Sequence, residues 1–579
     1  MCVFNNFSKG HILAQSLLSI LLLTACSSPN SQSPTASTST AGSDTLKLLY
    51  WQAPTILNPH LAQGSKDFEA SRITYEPLAS FDKDGKLVPF LAAEIPSLEN
   101  GGVAKDGKSV TWKLKQGVKW SDGKPFSAAD VVFTYQFVSN SAVGATTSAN
   151  YQAIKSVEAV DDYTVKINFQ QPNPAWSLPF VGSNGPILPR HIFEKYNGSN
   201  AREAPANLLP VGTGPYKVVD FKPGDIVVYE ANSFFREANK PFFKRVELKG
   251  GGDATSAARA VLQTGDVDFA WNLQVEAPIL KQLEAAGKGR VDISFGSFLE
   301  RIAINHTDPN KETKDGERSS IEFPHPFFKD LKVRQAFNYA IDRETINQQL
   351  YGQTGRSVTN IVVAPAIYNS PNTKYEFDLK KAAALLDEAG WKDSNGNGIR
   401  DKNGVELKIL FQTSVNPVRQ KTQEIVKQSL TSIGVGVELK SIDSSIFFSS
   451  DPANPDTLAR FQADLQMFSG GNSNPDPGTY LKAWTCDEIP QKKNNWSKPN
   501  SSRYCNPEYD KLWQQSNTEL NPEKRRQLFI QMNDLLIKEQ AVIPLISRAN
   551  VNGVSNRITG IDVTPWDDRT WNIKDWQLK

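Results

Sequence analysis

Net charge of either sign is almost missing from this sequence: 64 Lys+Arg stand against 62 Asp+Glu over 579 residues, a formal charge of +2. A broad nucleic-acid surface needs a clustered excess of Lys and Arg, so nucleic acid is excluded as a partner. Long apolar runs are missing too. The one candidate, Ile12 to Leu23, is shorter than the ~20 residues a membrane-spanning helix needs. It reads as the h-region of an export signal, with Lys9 and His11 as a weak basic n-region. Histidine is scarce, with five residues at 11, 60, 191, 306 and 325, no HExxH and no close pair, which argues against a zinc site. No GxSxG, SxxK or papain-like cysteine pattern is present, and no carboxylate pair stands out as a glycosidase dyad. The expectation is therefore a protein that is not an enzyme.

Cysteine is nearly as scarce, with four residues. Leu23-Thr24-Ala25-Cys26 has the small-residue, cysteine-ended form of a bacterial lipoprotein cleavage site; an ordinary secretory signal with a chance cysteine is the alternative. Residues 1–25 are then a signal peptide that takes Cys2 with it, and Cys26 is the acylated anchor. Residues 26–44, rich in Ser, Thr, Pro and Ala, form a flexible tether. The mature protein is expected to be exported and lipid-anchored, on the periplasmic or another extracytoplasmic face of a membrane. Cys486 and Cys505 remain. An exported pair closing a short loop is most simply a disulfide, worth about 3 kcal/mol in the chain-entropy model. A metal or redox pair is the other reading, weakened by the long spacing and the lack of CxxC.

What the sequence does have is 39% hydrophobic and 22% charged residues, enough apolar material for large cores and about three or four domains. From Leu46 onward, short strand patterns alternate with amphipathic helices, which indicates α/β construction. Thr111 to Gln116 alternates with period two and reads as a strand. Ser127-Ala-Ala-Asp130 offers a capping box for a helix beginning there. Val333, Ala336, Phe337, Ala340 and Ile341 fall on one face of a helix expected over Leu331 to Glu344. Asp378 to Ala389 is a helix with Asp378 as N-cap and Gly390 as its stop. Glu406 to Phe411, Val418 to Ile433 and Val435 to Ile442 read as strand, helix and strand, a βαβ unit that requires a parallel sheet. Asn521 and Pro522 start a last helix, after which Pro544 opens a short strand, Leu545-Ile546.

Three features could carry chemistry. Gly102-Val-Ala-Lys-Asp-Gly107-Lys108-Ser109 satisfies GxxxxGK[ST], but it leads into a strand and Asp106-Gly107 is a hairpin signal, so no helix N-terminus is available for phosphate. Asp393-Ser-Asn395-Gly-Asn397-Gly398-Ile399-Arg-Asp401 reproduces the first part of a calcium loop. Side-chain oxygens fall at positions 1, 3, 5 and 9, the Ile399 carbonyl at 7 and Gly at 6. Gly404 occupies the place of the final ligand, and an Asn/Gly-rich turn is the competing reading. No cofactor is required, and structural Ca2+ is the cation such a loop would take. Among many aromatics, Trp51, Trp271-Asn272, Phe468-Ser-Gly470-Gly471-Asn472 and Trp484 lie beside turn residues where a cleft wall could form. Core packing is the alternative for each.

Several segments together resemble one family. Tyr75-Glu-Pro-Leu-Ala-Ser-Phe-Asp-Lys-Asp-Gly-Lys-Leu-Val-Pro-Phe-Leu-Ala, Leu114-Lys-Gln-Gly-Val-Lys-Trp-Ser-Asp-Gly-Lys-Pro-Phe-Ser-Ala-Ala-Asp-Val-Val-Phe, Gly212-Thr-Gly-Pro-Tyr-Lys, Val333-Arg-Gln-Ala-Phe-Asn-Tyr-Ala-Ile-Asp-Arg and Asn506-Pro-Glu-Tyr-Asp-Lys-Leu follow one another in the order found in bacterial extracellular solute-binding proteins of the peptide and nickel class, family 5. The resemblance covers nearly all of Leu46 to Leu545. It implies a two-lobed periplasmic-binding-protein fold of the large peptide-binding class. A discontinuous domain I (45–88, 206–300 and 505–579) and an inserted domain II (89–205) would face domain III (301–504) across a hinge. It further implies an oligopeptide held between lobes, mainly through its backbone, and delivered by a monomeric subunit to a membrane ATP-binding-cassette permease.

On this reading Trp51, Trp271, Asn272, Phe468, Gly470, Gly471, Asn472 and Trp484 are the expected cleft residues. One departure stands out. Peptide-binding relatives often carry an aspartate shortly before the Asp-Pro of the third domain, paired with the ligand's α-ammonium. Here the stretch is Gly470-Gly471-Asn472-Ser473-Asn474-Pro-Asp476-Pro477, with neutral Asn472 or Ser473 in that place. An unpaired buried ammonium is costly, so either another carboxylate serves, or the peptide is longer or blocked, or the ligand is not a peptide. The other carriers in view are for an oligosaccharide or a nickel chelate. An exported hydrolase and a calcium-stabilised adhesion or scaffold protein are the readings from other classes.

Overall fold

Leu46, Leu48 and Tyr50 alternate along Thr45–Tyr50 and are all buried, so one face of this short strand packs on a core, and parallel pairing with Arg245–Gly250 on one side and Phe269–Trp271 on the other sets it inside a sheet. The structure is a computed structural model that describes residues 44–62, 64–374, 376–449 and 453–579. The signal segment, Cys26 and the tether to residue 43 lie outside them. Among the described residues no helix is long and apolar enough to cross a membrane.

An eleven-stranded mixed sheet organises the chain. Across it run Gly436–Ile442, Lys408–Ser414, Leu465–Gly470, Gly289–Ile304, Val542–Ser555, Phe269–Trp271, Thr45–Tyr50, Arg245–Gly250, Ile226–Ala231 and Tyr216–Lys222, and Gly355–Ser357 joins Val542–Ser555. The two long strands, Gly289–Ile304 and Val542–Ser555, are antiparallel and belong to both halves. Val542–Ser555 pairs with Phe269–Trp271 at one end, and the other end of Gly289–Ile304 pairs with Leu465–Gly470. Their register breaks between Phe295 and Leu299, where Gly296, Ser297 and Phe298 face the single residue Arg548. Such a bulge interrupts the ladder and bends the strand. Here it marks the crossing between the two lobes.

The βαβ unit forms as its pattern requires: Lys408–Ser414 and Gly436–Ile442 pair in parallel around helix Pro417–Ser432. Asn416 caps the helix by accepting from the Arg419 N–H at 3.1 Å, and Gly434, at φ +85°, turns the chain out of it. Asp378 caps Leu379–Glu388 through the Lys381 N–H, and Ser127 with Asp130 forms the capping box of Ala128–Ser139. Two boundaries differ from expectation. The helix over Leu331 to Glu344 ends at Tyr339, because Asp342 accepts from the Thr345 N–H and starts a separate turn, Arg343–Ile346. Its apolar face is buried as the spacing implies. Pro544 does not open a strand but sits within Val542–Ser555, at a second register break opposite Glu300 and Arg301. A residue without an N–H is tolerated where the ladder is already interrupted.

Ser109–Lys113, Thr164–Phe169 and Ile154–Asp161 form a separate antiparallel sheet. Gly107, at φ +67°, occupies the turn before it, and Ser109 enters the strand directly, so the GxxxxGKS stretch is a hairpin turn. The core of this region takes Trp112, Trp120 and Phe133 from the stretch expected for domain II, and also Leu61, Tyr75 and Leu78 from before residue 89. The helices Pro507–Ser516 and Pro522–Lys538 pack Tyr509, Phe529, Met532 and Leu536 with Leu481 and Trp484. They therefore sit on the 301–504 side, where the sequence reading had placed 505–579 with domain I. Their apolar faces require that partner. The chain after them returns: Val542–Ser555 pairs with Phe269–Trp271, and Val554, Ile558, Ile573 and Trp576 share a core with Phe269.

Candidate functional site

Between the lobes, at the bulge in the crossing strands, lies a cavity of about 1070 Å³. That is at the upper end of the ~300–1,000 Å³ usual for small-molecule sites. One wall is built on the end of Phe269–Trp271. Trp271 stacks on Tyr50 with ring centroids 5.2 Å apart, and its indole N–H donates to Glu69 Oε1 at 3.3 Å. Asn272 follows at φ +54°, a conformation Asn tolerates. Its carbonyl accepts from the Trp51 indole at 2.8 Å and its N–H donates to Asn552 Oδ1 at 3.0 Å. Trp51, Trp271 and Asn272 all line the cavity.

The opposite wall carries Gly471, Asn472 and Ser473. A Cβ on Gly471 would stand 2.0 Å from the Ser297 carbonyl oxygen, so only glycine allows this loop to meet the crossing strand. Ser297 Oγ donates to the Asn472 carbonyl at 2.5 Å. The Asn472 amide donates to Ala364 O at 3.0 Å and Asn474 O at 2.8 Å, while its Oδ1 is buried with no partner among the described residues. Where the family resemblance implies an ammonium-binding aspartate, a pinned, uncharged amide stands.

Three expected cleft residues lie elsewhere. The Arg301 guanidinium stacks over Phe468 at 4.4 Å and lies 5.7 Å from the Trp484 ring, so these aromatics pack around a buried cation and not a ligand. Gly470 faces the same group, its would-be Cβ 3.0 Å from Arg301 Nη1. Strand alternation turns Phe468 and Gly470 from the cavity while Ser469 between them lines it, and Trp484 lies in the turn after helix Gly478–Lys482, choices of face that aromatic content cannot reveal.

The calcium-like loop is exposed and distant from the cavity. Asp393 Oδ1 accepts from the Gly396 and Asn397 N–H groups at 2.8 and 3.1 Å, and its Oδ2 from Gly398 at 2.9 Å. Asn395 and Asn397 accept from the N–H groups of Asn397 and Ile399, and Asp401 holds the Ser394 hydroxyl at 2.7 Å. Cys486 and Cys505 are joined in a disulfide, their Cα atoms 4.6 Å apart.

Two buried charge clusters border the cavity and were not found from sequence. Glu300 receives Arg419 Nη2 at 2.8 Å and Nε at 3.1 Å, and Arg548 Nε lies 3.3 Å away. Burial pushes the Glu300 carboxyl up, but Arg419, Arg548 and Arg301 pull it below the usual carboxylate range. Two guanidinium groups on one carboxylate leave a positive excess. The second cluster has the reverse balance. Asp567 receives Arg72 Nη2 at 3.2 Å and the Ser80 hydroxyl at 2.5 Å. Glu69 accepts from the Arg569 N–H at 2.7 Å, and burial lifts its carboxyl to about 7 against the pull of Arg569. Asp568 adds a third carboxyl beside Arg72 and Arg569. Partners in these clusters come from segments as far as 500 residues apart, so no spacing announces them.

A two-lobed α/β protein crossed by two long strands, with a ligand-sized cavity at the crossing, is a ligand-enclosing binding protein. The profile described as "Bacterial extracellular solute-binding proteins, family 5 Middle" matches residues 86–490, and the chain belongs to that family. The oligopeptide-binding protein AppA of Bacillus subtilis (strain 168) is 29% identical over 584 residues, covering 98% of this chain and 99% of the relative. AppA in complex with a nonapeptide superposes with a TM-score of 0.77 at 26% identity, over 92% of this chain and 99% of that one. NikZ of Campylobacter jejuni in complex with Ni(L-His) superposes with a TM-score of 0.78 at 26% identity, with the same coverage.

Proposed function

We propose that this protein is the lipid-anchored, non-enzymatic substrate-binding subunit of an ATP-binding-cassette importer. It closes over an oligopeptide in the inter-lobe cavity and presents it to the permease as a monomer. The observation that carries the reading is the cavity itself. Its walls combine indole faces, amides and hydroxyls with an acid-rich cluster at one place and a guanidinium-rich cluster at another. That is the chemistry a zwitterionic chain of variable side chains requires, with common features held and the remainder left to water. Ligand shifts the lobes by contacting both walls at once, which it does only in the closed state. The acylated Cys26 and the tether to residue 44 keep the binding unit near the membrane in this reading.

Native mass spectrometry of the gently purified protein tests it. Co-purifying peptides that share length but not sequence are expected, together with a diacylglyceryl mass on Cys26 that Cys26→Ser removes. A sugar or a metal chelate in the cavity, or chemical turnover of added peptide, would overturn the peptide-carrier assignment.

A further inference from the structure

We propose that Asp568 is the anchor for a primary ammonium group on the ligand, taking from the C-terminal segment the role that Asn472 cannot fill. This rests on the peptide-carrier reading above. Asp568 lines the cavity and is 8% exposed, and its Oδ2 is enclosed with no hydrogen-bond partner among the described residues. A buried carboxylate oxygen is rarely left so, and it points to an absent donor. Its acidic neighbours are already engaged: Asp567 by Arg72 and Ser80, and Glu69 by the Arg569 N–H and the Trp271 indole.

Charge balance leads to the same place. Three carboxyl groups, on Glu69, Asp567 and Asp568, meet two guanidinium groups, on Arg72 and Arg569. Arg569 directs Nη1 at the carbonyls of Thr564 and Asp567, at 3.3 and 2.9 Å. Of the charges further out, Arg290 is offset by Asp292, and Arg548 is committed to Glu300, 3.3 Å from its Nε. Tyr50 carries a buried hydroxyl without a hydrogen-bond partner among the described residues, and the charges of Glu69 and Asp568 act on it. Asp292 and Arg548 both act electrostatically on Arg569. Burial, Glu69 and Asp567 raise the Asp568 carboxyl against the pull of Arg72 and Arg569, and burial also raises Glu69. In this proposal an incoming ammonium displaces a proton shared by the raised carboxyls of Glu69 and Asp568: the N–H of the ligand replaces the carboxyl O–H, and the proton leaves to solvent.

The ammonium could be a peptide N-terminus or a lysine side chain, and the probes separate the two. Three nonapeptide pools are offered to the purified protein: lysine-free, lysine-free and N-acetylated, and N-acetylated with one lysine. Wild-type protein is expected to retain the first at least about tenfold over the second. Retention of the third marks a side-chain ammonium as an equal occupant, and its loss marks the N-terminus. Asp568→Asn is expected to bind the first two pools alike, with its unliganded melting temperature not lowered. A measurement on wild type alone supports this: calorimetry of one retained peptide near pH 7, in phosphate and in Tris, should show proton release. Equal binding of the first two pools by wild type, a preference for the free ammonium surviving in Asp568→Asn, or binding without proton exchange would overturn the assignment. If wild type retains no pool at all, it is the peptide reading that fails, which the wild-type arm shows before any variant is compared.

Discussion

Replacing Glu300 by Gln should be among the most damaging single-atom changes in the protein. Glu300 is 2% exposed, on the crossing strand Gly289–Ile304, and three guanidinium nitrogen contacts converge on it, at 2.8, 3.1 and 3.3 Å. The amide keeps the shape and one acceptor. It removes the negative charge that Arg419 and Arg548 share, and it turns an N–H2 toward one of them. At an effective dielectric of about 20, unit charges 4 Å apart interact by about 4 kcal/mol. Removing one partner of a buried pair typically costs about 3–5 kcal/mol, because the other charges stay buried. The expected loss for Glu300→Gln is in that range, read from urea denaturation followed by tryptophan fluorescence with slopes compared between variants.

The pH dependence gives an independent check on the cause. The Glu300 carboxyl sits below its ordinary value in the folded state, so its contribution is complete above the unfolded value of about 4.3 and is lost as pH falls through the folded value. The wild-type and variant stabilities should therefore converge in acid below about pH 4. A loss under about 1 kcal/mol at pH 7, or a gap that stays constant into acid, would refute the reasoning.

Three further outcomes are expected. Replacing both Cys486 and Cys505 by Ser opens a loop with a sequence separation of 19 and should cost about 3 kcal/mol in urea; free thiols in the native wild type would contradict the pairing. Gly471→Ala should weaken peptide binding and lower stability by about 1–3 kcal/mol, since its Cβ would meet the Ser297 carbonyl at 2.0 Å; unchanged binding and melting would show that the loop can move away. Millimolar calcium should leave the melting temperature unaltered, because Asp393 and Asp401 already accept from backbone N–H groups and Ser394; a rise that Asp393→Asn abolishes would show that those donors give way to a cation.

Local chemistry was readable where it repeats at short range. Ser127 and Asp130, Asp378 and Gly390, and Asn521 with Pro522 each act within one helical turn, and the structure places each at the helix end that the sequence assigns it. Asp342 shows the limit: the apolar spacing continues through Ile341, but a competing cap ends the helix first. The cavity was half legible. Trp51, Trp271, Asn272, Gly471 and Asn472 border it, whereas Phe468 and Trp484 surround Arg301. The difference depends on a cation from a distant strand that no spacing reveals. For the same reason the charge clusters were invisible, since Glu300 meets Arg419 across 119 residues.

The two crossing strands also constrain the order in which the molecule can assemble. Thr45–Tyr50 is the first strand made, yet its partners are Arg245–Gly250 and Phe269–Trp271, and Gly289–Ile304 waits for Val542–Ser555. Pairings this remote in sequence are slow, because loop-closure entropy must be met before any contact rewards it. A chain emerging from its N-terminus therefore cannot complete its main sheet until residue 555 has been made. For a member of an extracellular solute-binding family, that delay lengthens the interval in which the unfinished sheet leaves the polypeptide able to be threaded through a membrane.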